Sequence, residues 1–233
     1  MFYFEEIKDK KILKSDYLSG LEHFFTTRES NVDENSELLC EYLNISEDNL
    51  ISPVQTHSCN IAIAKKGQNY DNVDALILSE KNLAIYLRFA DCTPIIIYDE
   101  VKNIGAISHA GWRGTAQEIA PKTVLKMVKD FSCNVDNISV AIGPAIGQCC
   151  YCVGEECYKQ LKSTLRDESE CFRFENDKIY TNLKKINYHQ LKTVGVKKID
   201  ICDYCTSCDN DLFFSYRKEN GTQYRHNAVI KLK

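Results

Sequence analysis

His57 in SPVQTHS, Cys92 in RFADCTP and His109 in SHAGWRG share a setting within the 233-residue sequence. Each follows a β-like segment and is flanked by Pro, Gly or small polar residues, so each can project from a rigid strand end into a cleft. Imidazole nitrogen and thiolate sulfur suit a tetrahedral Zn2+ and leave a fourth position for water or substrate. Copper accepts the same donors. A single His or Cys in a chain with 12 Cys is more often packed than catalytic, but two of only five His stand at strand exits here. The shared setting makes the three a candidate catalytic and metal-binding set.

Other residues offer weaker chemistry. In GWRG at 111–114, glycine allows close backbone approach, and N–H groups at a helix start with the Arg113 fork can bind an anion. The same turn can also exist to pack Trp112. GPAIG at 143–147 reads equally as a ligand-facing loop or a tight connection, and neither a Walker A nor a Gly-x-Gly-x-x-Gly pattern occurs. Cys202, Cys205 and Cys208 form a Cys-x-x-Cys-x-x-Cys run. With Cys149, Cys150 and Cys152 it holds enough sulfur for a zinc or iron–sulfur site, or a redox dithiol at 202 and 205. No second evenly spaced set accompanies it, which favours ordinary free thiols.

The elements that must position these residues follow from patterning. Strands are expected at 2–7, 61–64, 74–78, 83–89, 94–98, 104–108, 138–142, 199–202 and 228–232, with 21–25 as an apolar turn region and 28–37 as a polar stretch. Helices are expected at 38–43, 154–165 and 182–194. A further one follows residue 115, with Ala120, Val124 and Met127 on one face. Pro121 lies inside that pattern, so the helix either starts near Ala120 or bends. The alternation predicts an α+β fold, a layered α/β-type sandwich of mixed sheets packed with helices, as one domain over 1–233.

Composition sets the outer limits. A hydrophobic fraction of 44% and a charged fraction of 27% describe a folded globular chain. The formal charge of -4 provides no field to gather nucleic acid. The N-terminal MFYFEEIKDKK lacks the pattern of a secretory signal, and no apolar run nears the length of a membrane span. A cytoplasmic protein is expected, with free thiols and a candidate metal site in place of a disulfide framework. Neither a membrane nor a protein partner is implied.

The segments QTH, ADCTPIIIYD, SHAGWRGT, AIGPAIGQCCYCVGEE, NLKKINYHQLKTVGVKKI and DLFFSYRKENG carry a further signal through their order. Together they resemble the YfiH/YlmD-like family of laccase-domain proteins, long labelled multicopper polyphenol oxidoreductases. The resemblance runs from about Gly20 to the C-terminus. It implies purine nucleoside phosphorylase, adenosine deaminase and methylthioadenosine phosphorylase activities, with purine nucleosides and inorganic phosphate as the small-molecule partners. By it, His57, Cys92 and His109 match the metal-binding catalytic triad, and Arg28 and Arg113 match polar residues near the pocket. Asp91 joins them on the substrate side as a residue placed to orient a ligand. The sequence departs from the family at Glu29–Ser30–Asn31 after Arg28, at Cys152 in place of an acidic residue, and at Tyr224 before Arg225. These changes bear on the pocket edge and leave the triad intact. A zinc enzyme is therefore expected, against a copper-dependent phenol oxidase, a metal-independent cysteine hydrolase using Cys92, and a structural zinc protein.

Overall fold

The computed structural model describes residues 1–30, 36–166 and 170–233. In chain order its elements are β1 (Phe2–Ile7), β2 (Lys10–Ser15), β3 (Glu22–Thr26), α1 (Glu37–Leu43), β4 (Leu50–Ile51), β5 (Ile61–Ile63), β6 (Ala75–Leu78) and β7 (Ala84–Phe89). There follow β8 (Thr93–Asp99), β9 (Ile104–Ala110), α2 (Trp112–Ala116), α3 (Ile119–Phe131), β10 (Ile138–Ile142), β11 (Cys152–Val153) and α4 (Glu155–Lys162). The chain closes with β12 (Phe172–Glu175), β13 (Lys178–Thr181), α5 (Leu183–Thr193), β14 (Lys198–Ile201) and β15 (His226–Lys231). One sheet runs β1-β2-β3-β15-β7-β4, a second runs β14-β10-β8-β9-β6-β5, and a small third runs β11-β13-β12. No helix among the described residues is long and apolar enough to cross a membrane.

Period-two alternation builds the layers. From the second sheet, Leu76, Leu78, Ile96, Tyr98 and Ile107 meet Leu13, Phe25, Ile85, Leu87 and Ile230 of the first in one core. Their neighbours Ala75, Ile77, Ile95, Ile97, Val140 and Ile142 point the other way, onto Ile119, Ala120, Val124 and Met127 of α3 and Leu191 of α5. On the outer face of the first sheet, Ile12, Phe24 and Val229 receive Leu39, Tyr42 and Leu43 of α1. Sheet therefore packs on sheet with helices outside, giving the α+β sandwich of mixed sheets expected from the sequence. Because β8 is buried on both faces, it reads as a continuous apolar run instead of an alternating one.

Two sequence expectations change. The 21–25 segment is strand β3, paired with β2 and β15; its residues are buried on both faces, which hides the alternation that marks a strand. The helix after residue 115 is two helices, divided where Glu118 takes a left-handed φ of 57°. Pro121 then falls in the first turn of α3, where its missing N–H costs nothing. The polar stretch at 28–37 and the departure at Asn31 lie partly outside the described residues.

The first sheet also carries two buried histidines. His23 accepts the Ser15 N–H on Nε2 at 3.0 Å and donates from Nδ1 to the Leu21 carbonyl at 3.0 Å, an arrangement only the neutral ring satisfies. Burial lowers His23 to about 4 and His226 to about 3. The unfolded chain takes up a proton at each once the pH drops below the ordinary value near 6.5, while the folded chain does not. The stability they allow is thus complete above that pH and is lost as pH falls toward the folded values, at about 2 kcal/mol for each by pH 5. Urea midpoints should fall from pH 7 to pH 5, and His23→Gln, which keeps an acceptor for Ser15, should reduce the fall by about half.

Candidate metal centre

Sheet register brings the strand-end residues together. Thr93 pairs with Ala110 and Pro94 with His109, so the turn holding Cys92, between β7 and β8, sits beside the end of β9. On the other side of β9, Ala75 pairs with Ser108, which places Asp74 next to His109. β5 runs parallel to β6, so the 56–60 loop that leads into β5 lies over the same end of the sheet. His57, in that loop, has a left-handed φ of 62°.

The donor atoms of His57, Cys92 and His109 lie within 4.8 Å of one another. The His57 and His109 rings meet edge-on with centroids 4.9 Å apart. His109 is buried, Cys92 half-buried and His57 exposed, which leaves the cluster open on the His57 side. Two imidazoles and one thiolate at this spacing suit a single ion with a free position.

Asp74 is the residue that sequence reasoning missed. Fully buried, its carboxylate accepts from His109 Nδ1 at 2.7 Å, Ser58 Oγ at 2.6 Å, and the backbone N–H groups of Thr56, His57 and Ser58 at 3.2, 3.1 and 2.7 Å. One carboxylate therefore fixes the His109 tautomer, leaving Nε2 for a ligand, and folds the loop that carries His57. Carboxylates behind ligating histidines act in this way in metal sites. The signal available in the sequence was only a polar residue at the start of the 74–78 strand.

The electrostatics agree with the geometry. Burial raises the Cys92 thiol, but His109 and His57 beside it bring it down to about 6, so it is anionic at neutral pH. Burial lowers His109, while the Cys92 sulfur and Asp74 raise it to about 9. Asp74, penalised by burial, is held at about 2 by its bonds to His109 and Ser58. The two shifts run in the directions that favour a thiolate beside an imidazolium. Binding of a cation would replace the shared proton.

Gly111 explains the glycine in HAGW. A Cβ there would stand 2.9 Å from Cys92 Sγ and 3.1 Å from His57 Cδ2, so a larger residue would push two donors apart. Gly111→Ala should weaken metal affinity by about 10–100-fold, the scale of losing an outer partner. Competition against a chromophoric chelator would measure this, with the far-UV spectrum unchanged.

The other expected site residues are placed differently. Asp91, with φ 82°, accepts from Thr206 Oγ1, Ser215 Oγ and the Arg217 N–H at 2.6, 2.7 and 2.7 Å. It ties two stretches of the connection between β14 and β15 to the Cys92 turn, whereas the carboxylate bonded to a histidine is that of Asp74. Arg28 donates to the Asn210 carbonyl and Glu219 at 2.7 and 2.5 Å and lies 4.3 Å over the Phe214 ring. Its guanidinium thereby braces the 210–219 loop. Arg113 is exposed and lies 4.4 Å over the Trp112 ring. Burial, followed by the charges of Cys157, Cys92 and Asp91, raises the Tyr151 phenol and keeps it protonated. Exposed Arg217 lies over that ring at 5.2 Å.

Residues 21–233 match the family model described as multi-copper polyphenol oxidoreductase laccase. A purine nucleoside phosphorylase of Clostridium acetobutylicum is 33% identical over 98% of this chain and 95% of its own length. Adenosine deaminase RL5, from an unknown prokaryotic organism, is 30% identical over 86% of this chain and 90% of its own. The crystal structure of YlmD from Geobacillus stearothermophilus superposes with a TM-score of 0.91 at 29% identity, covering 99% of this chain and 98% of that one. From fold, site and sequence together, the chain belongs to the YfiH/YlmD-like family of multi-copper polyphenol oxidoreductase laccase-domain proteins.

Proposed function

We propose that this protein is a zinc-dependent purine nucleoside phosphorylase that also deaminates adenosine and phosphorolyses methylthioadenosine, with His57, Cys92 and His109 as its catalytic metal ligands. In this reading residues 1–233 work as one domain, in the cytoplasm. The observation that carries it is the convergence of the three donors with Asp74 behind His109. That it occurs in a chain similar to proteins named purine nucleoside phosphorylase and adenosine deaminase gives the substrate class.

His57, Cys92 and His109 would hold a divalent ion, which would supply Lewis acidity to the bound substrate. The protein's own groups do the rest. Asp74 keeps His109 in one tautomer, and the left-handed turn at His57 aims its ring at the cluster. Tyr151 stays protonated near Cys92 and can donate a hydrogen bond to a purine nitrogen or a departing group. Arg113 and Arg217, exposed and stacked on aromatic rings, are the cations available to phosphate; Arg28 acts indirectly, through the 210–219 loop. In phosphorolysis, phosphate displaces the base at C1′; in deamination, water displaces ammonia at C6. The two need different substrate placements at one centre.

The oxidase reading has less support. A multicopper centre needs several histidine-rich sites. Among the described residues, the only other cluster of ligating side chains contains no His, and His23 and His226 are buried in the first sheet. To separate the readings, the protein is stripped with chelator and reloaded with zinc or copper. Adenosine, inosine and methylthioadenosine, with and without phosphate, are then assayed beside a phenol. Nucleoside turnover restored by zinc, with phenol oxidation absent, is the expected result. Phenol oxidation restored by copper alone, with no nucleoside consumed, would overturn the assignment.

A further inference from the structure

A second cluster of ligating side chains lies in the loops that follow β10 and β14. The sulfurs of Cys149, Cys150, Cys205 and Cys208 all fall within 4.8 Å of one another, with Cys208 3.5 Å from Cys149 and 3.4 Å from Cys150. The Cys-x-x-Cys-x-x-Cys run is thereby split. Cys202 is buried in the main core, and burial raises its thiol to about 12, whereas Cys205 and Cys208 face the adjacent pair Cys149–Cys150. Cys152 sits apart on β11, paired with Tyr180. We propose that Cys149, Cys150, Cys205 and Cys208 form a second metal site, a tetrathiolate centre that binds one Zn2+ and has a structural role.

The spacing fits a single metal ion and excludes a polynuclear cluster. A tetrahedral zinc with sulfurs at about 2.3 Å sets them about 3.8 Å apart, within the range found here. A polynuclear iron–sulfur cluster holds its cysteines farther apart, around a cage of several atoms. A disulfide needs only two sulfurs, and none of Cys149, Cys150, Cys205 and Cys208 is joined in one.

The surroundings suit thiolates. The Gly147 N–H donates to Cys205 Sγ at 3.1 Å, and the backbone N–H groups of Ser207 and Cys208 converge on the same sulfur. Such N–H donors offset ligand charge in metal–thiolate sites. Gly147 makes the approach possible: a Cβ there would lie 3.1 Å from both Cys149 Sγ and Cys205 Cβ. Lys184 provides an independent observation. Its ammonium is buried, donating to the Cys202 and Tyr204 carbonyls at 2.5 and 2.8 Å, with no ion pair to a carboxylate among the described residues. A buried lysine calls for nearby negative charge. Asp203 supplies part of it, and a zinc ion with four thiolates, carrying a net charge of about −2, would add to it.

The site would join two loops that also wall the catalytic centre. Ala145 bridges to Cys205, and the Thr206 N–H donates to the Ala145 carbonyl. From these loops Thr206 reaches Asp91, and Tyr151 lies near Cys92. A metal here would hold the pocket wall in place without touching substrate.

The test measures metal content in protein purified under reducing conditions and reloaded with Zn2+ or Co2+. Wild-type protein should hold a second equivalent beyond the His57–Cys92–His109 ion. Cys208→Ser, at an exposed position, should lose that equivalent alone, and Cys92→Ala should lose only the other. Cobalt loaded into Cys92→Ala should show the intense sulfur-to-metal charge-transfer absorption of a four-thiolate site, and adding Cys205→Ser should abolish it. The proposal is overturned if Cys92→Ala protein takes up no metal, if Cys208→Ser leaves metal content and the cobalt spectrum unchanged, or if mass spectrometry finds these thiols only in disulfides that take up no zinc after reduction. Failure here leaves the reading of the first centre intact, because Cys92→Ala reports on that centre separately.

Discussion

Asp74→Asn should lose metal affinity and fold stability together. The carboxylate accepts five hydrogen bonds, from His109, the Ser58 hydroxyl and three successive backbone N–H groups. An amide keeps one accepting oxygen and turns an NH2 group toward N–H donors, leaving buried donors unmet at about 1–3 kcal/mol. His109 loses its anionic partner, and metal affinity should fall about 10–100-fold. Asp99→Asn is the control. Asp99 is as fully buried and accepts the N–H groups of Val101, Lys102 and Asn134 at 2.9, 2.9 and 3.0 Å, away from the cluster. It should lower the denaturation midpoint and leave metal affinity unchanged. Equal metal loss in both variants would mean that Asp74 acts only through stability.

Cys92→Ala should have the largest effect on turnover. The thiolate is the one anionic donor of the set, and its loss leaves an exposed and a buried imidazole. The drop in nucleoside turnover should exceed the roughly 10–100-fold expected for an outer partner such as Asp74. Wild-type protein treated with chelator should show the same loss, and zinc should reverse it. A cysteine hydrolase using Cys92 as a covalent nucleophile would keep its activity through chelation and lose it on alkylation.

The three candidate donors were legible in the sequence because each sits beside a β-like segment among small or turn-forming residues. That pattern is local. Asp74 was hidden because its role depends on the register between β6 and β9, and in sequence it reads as a polar residue opening a strand. Asp91 drew attention by standing beside Cys92, but its left-handed backbone turns the carboxylate toward Thr206, Ser215 and Arg217. The four-sulfur cluster was legible only as a pool of cysteines that the sequence favoured as free thiols, and which four of them meet was hidden for a related reason. Parallel pairing of β10 with β14 brings residues 149–150 and 205–208 together, and spacing within either segment does not reveal it. Among the elements, β3 was obscured by burial on both faces, and β11, at two residues, is too short for periodicity to register.

Phosphorolysis of inosine tests the central claim most directly. Zinc-replete protein is incubated with inosine and inorganic phosphate, and hypoxanthine and ribose 1-phosphate are quantified by chromatography beside Cys92→Ala. Phosphate-dependent release of both products in equal amounts, absent from the variant, is the predicted result. Undiminished product from Cys92→Ala, or no turnover of inosine, adenosine or methylthioadenosine by wild-type protein carrying zinc at His57, Cys92 and His109, would contradict it.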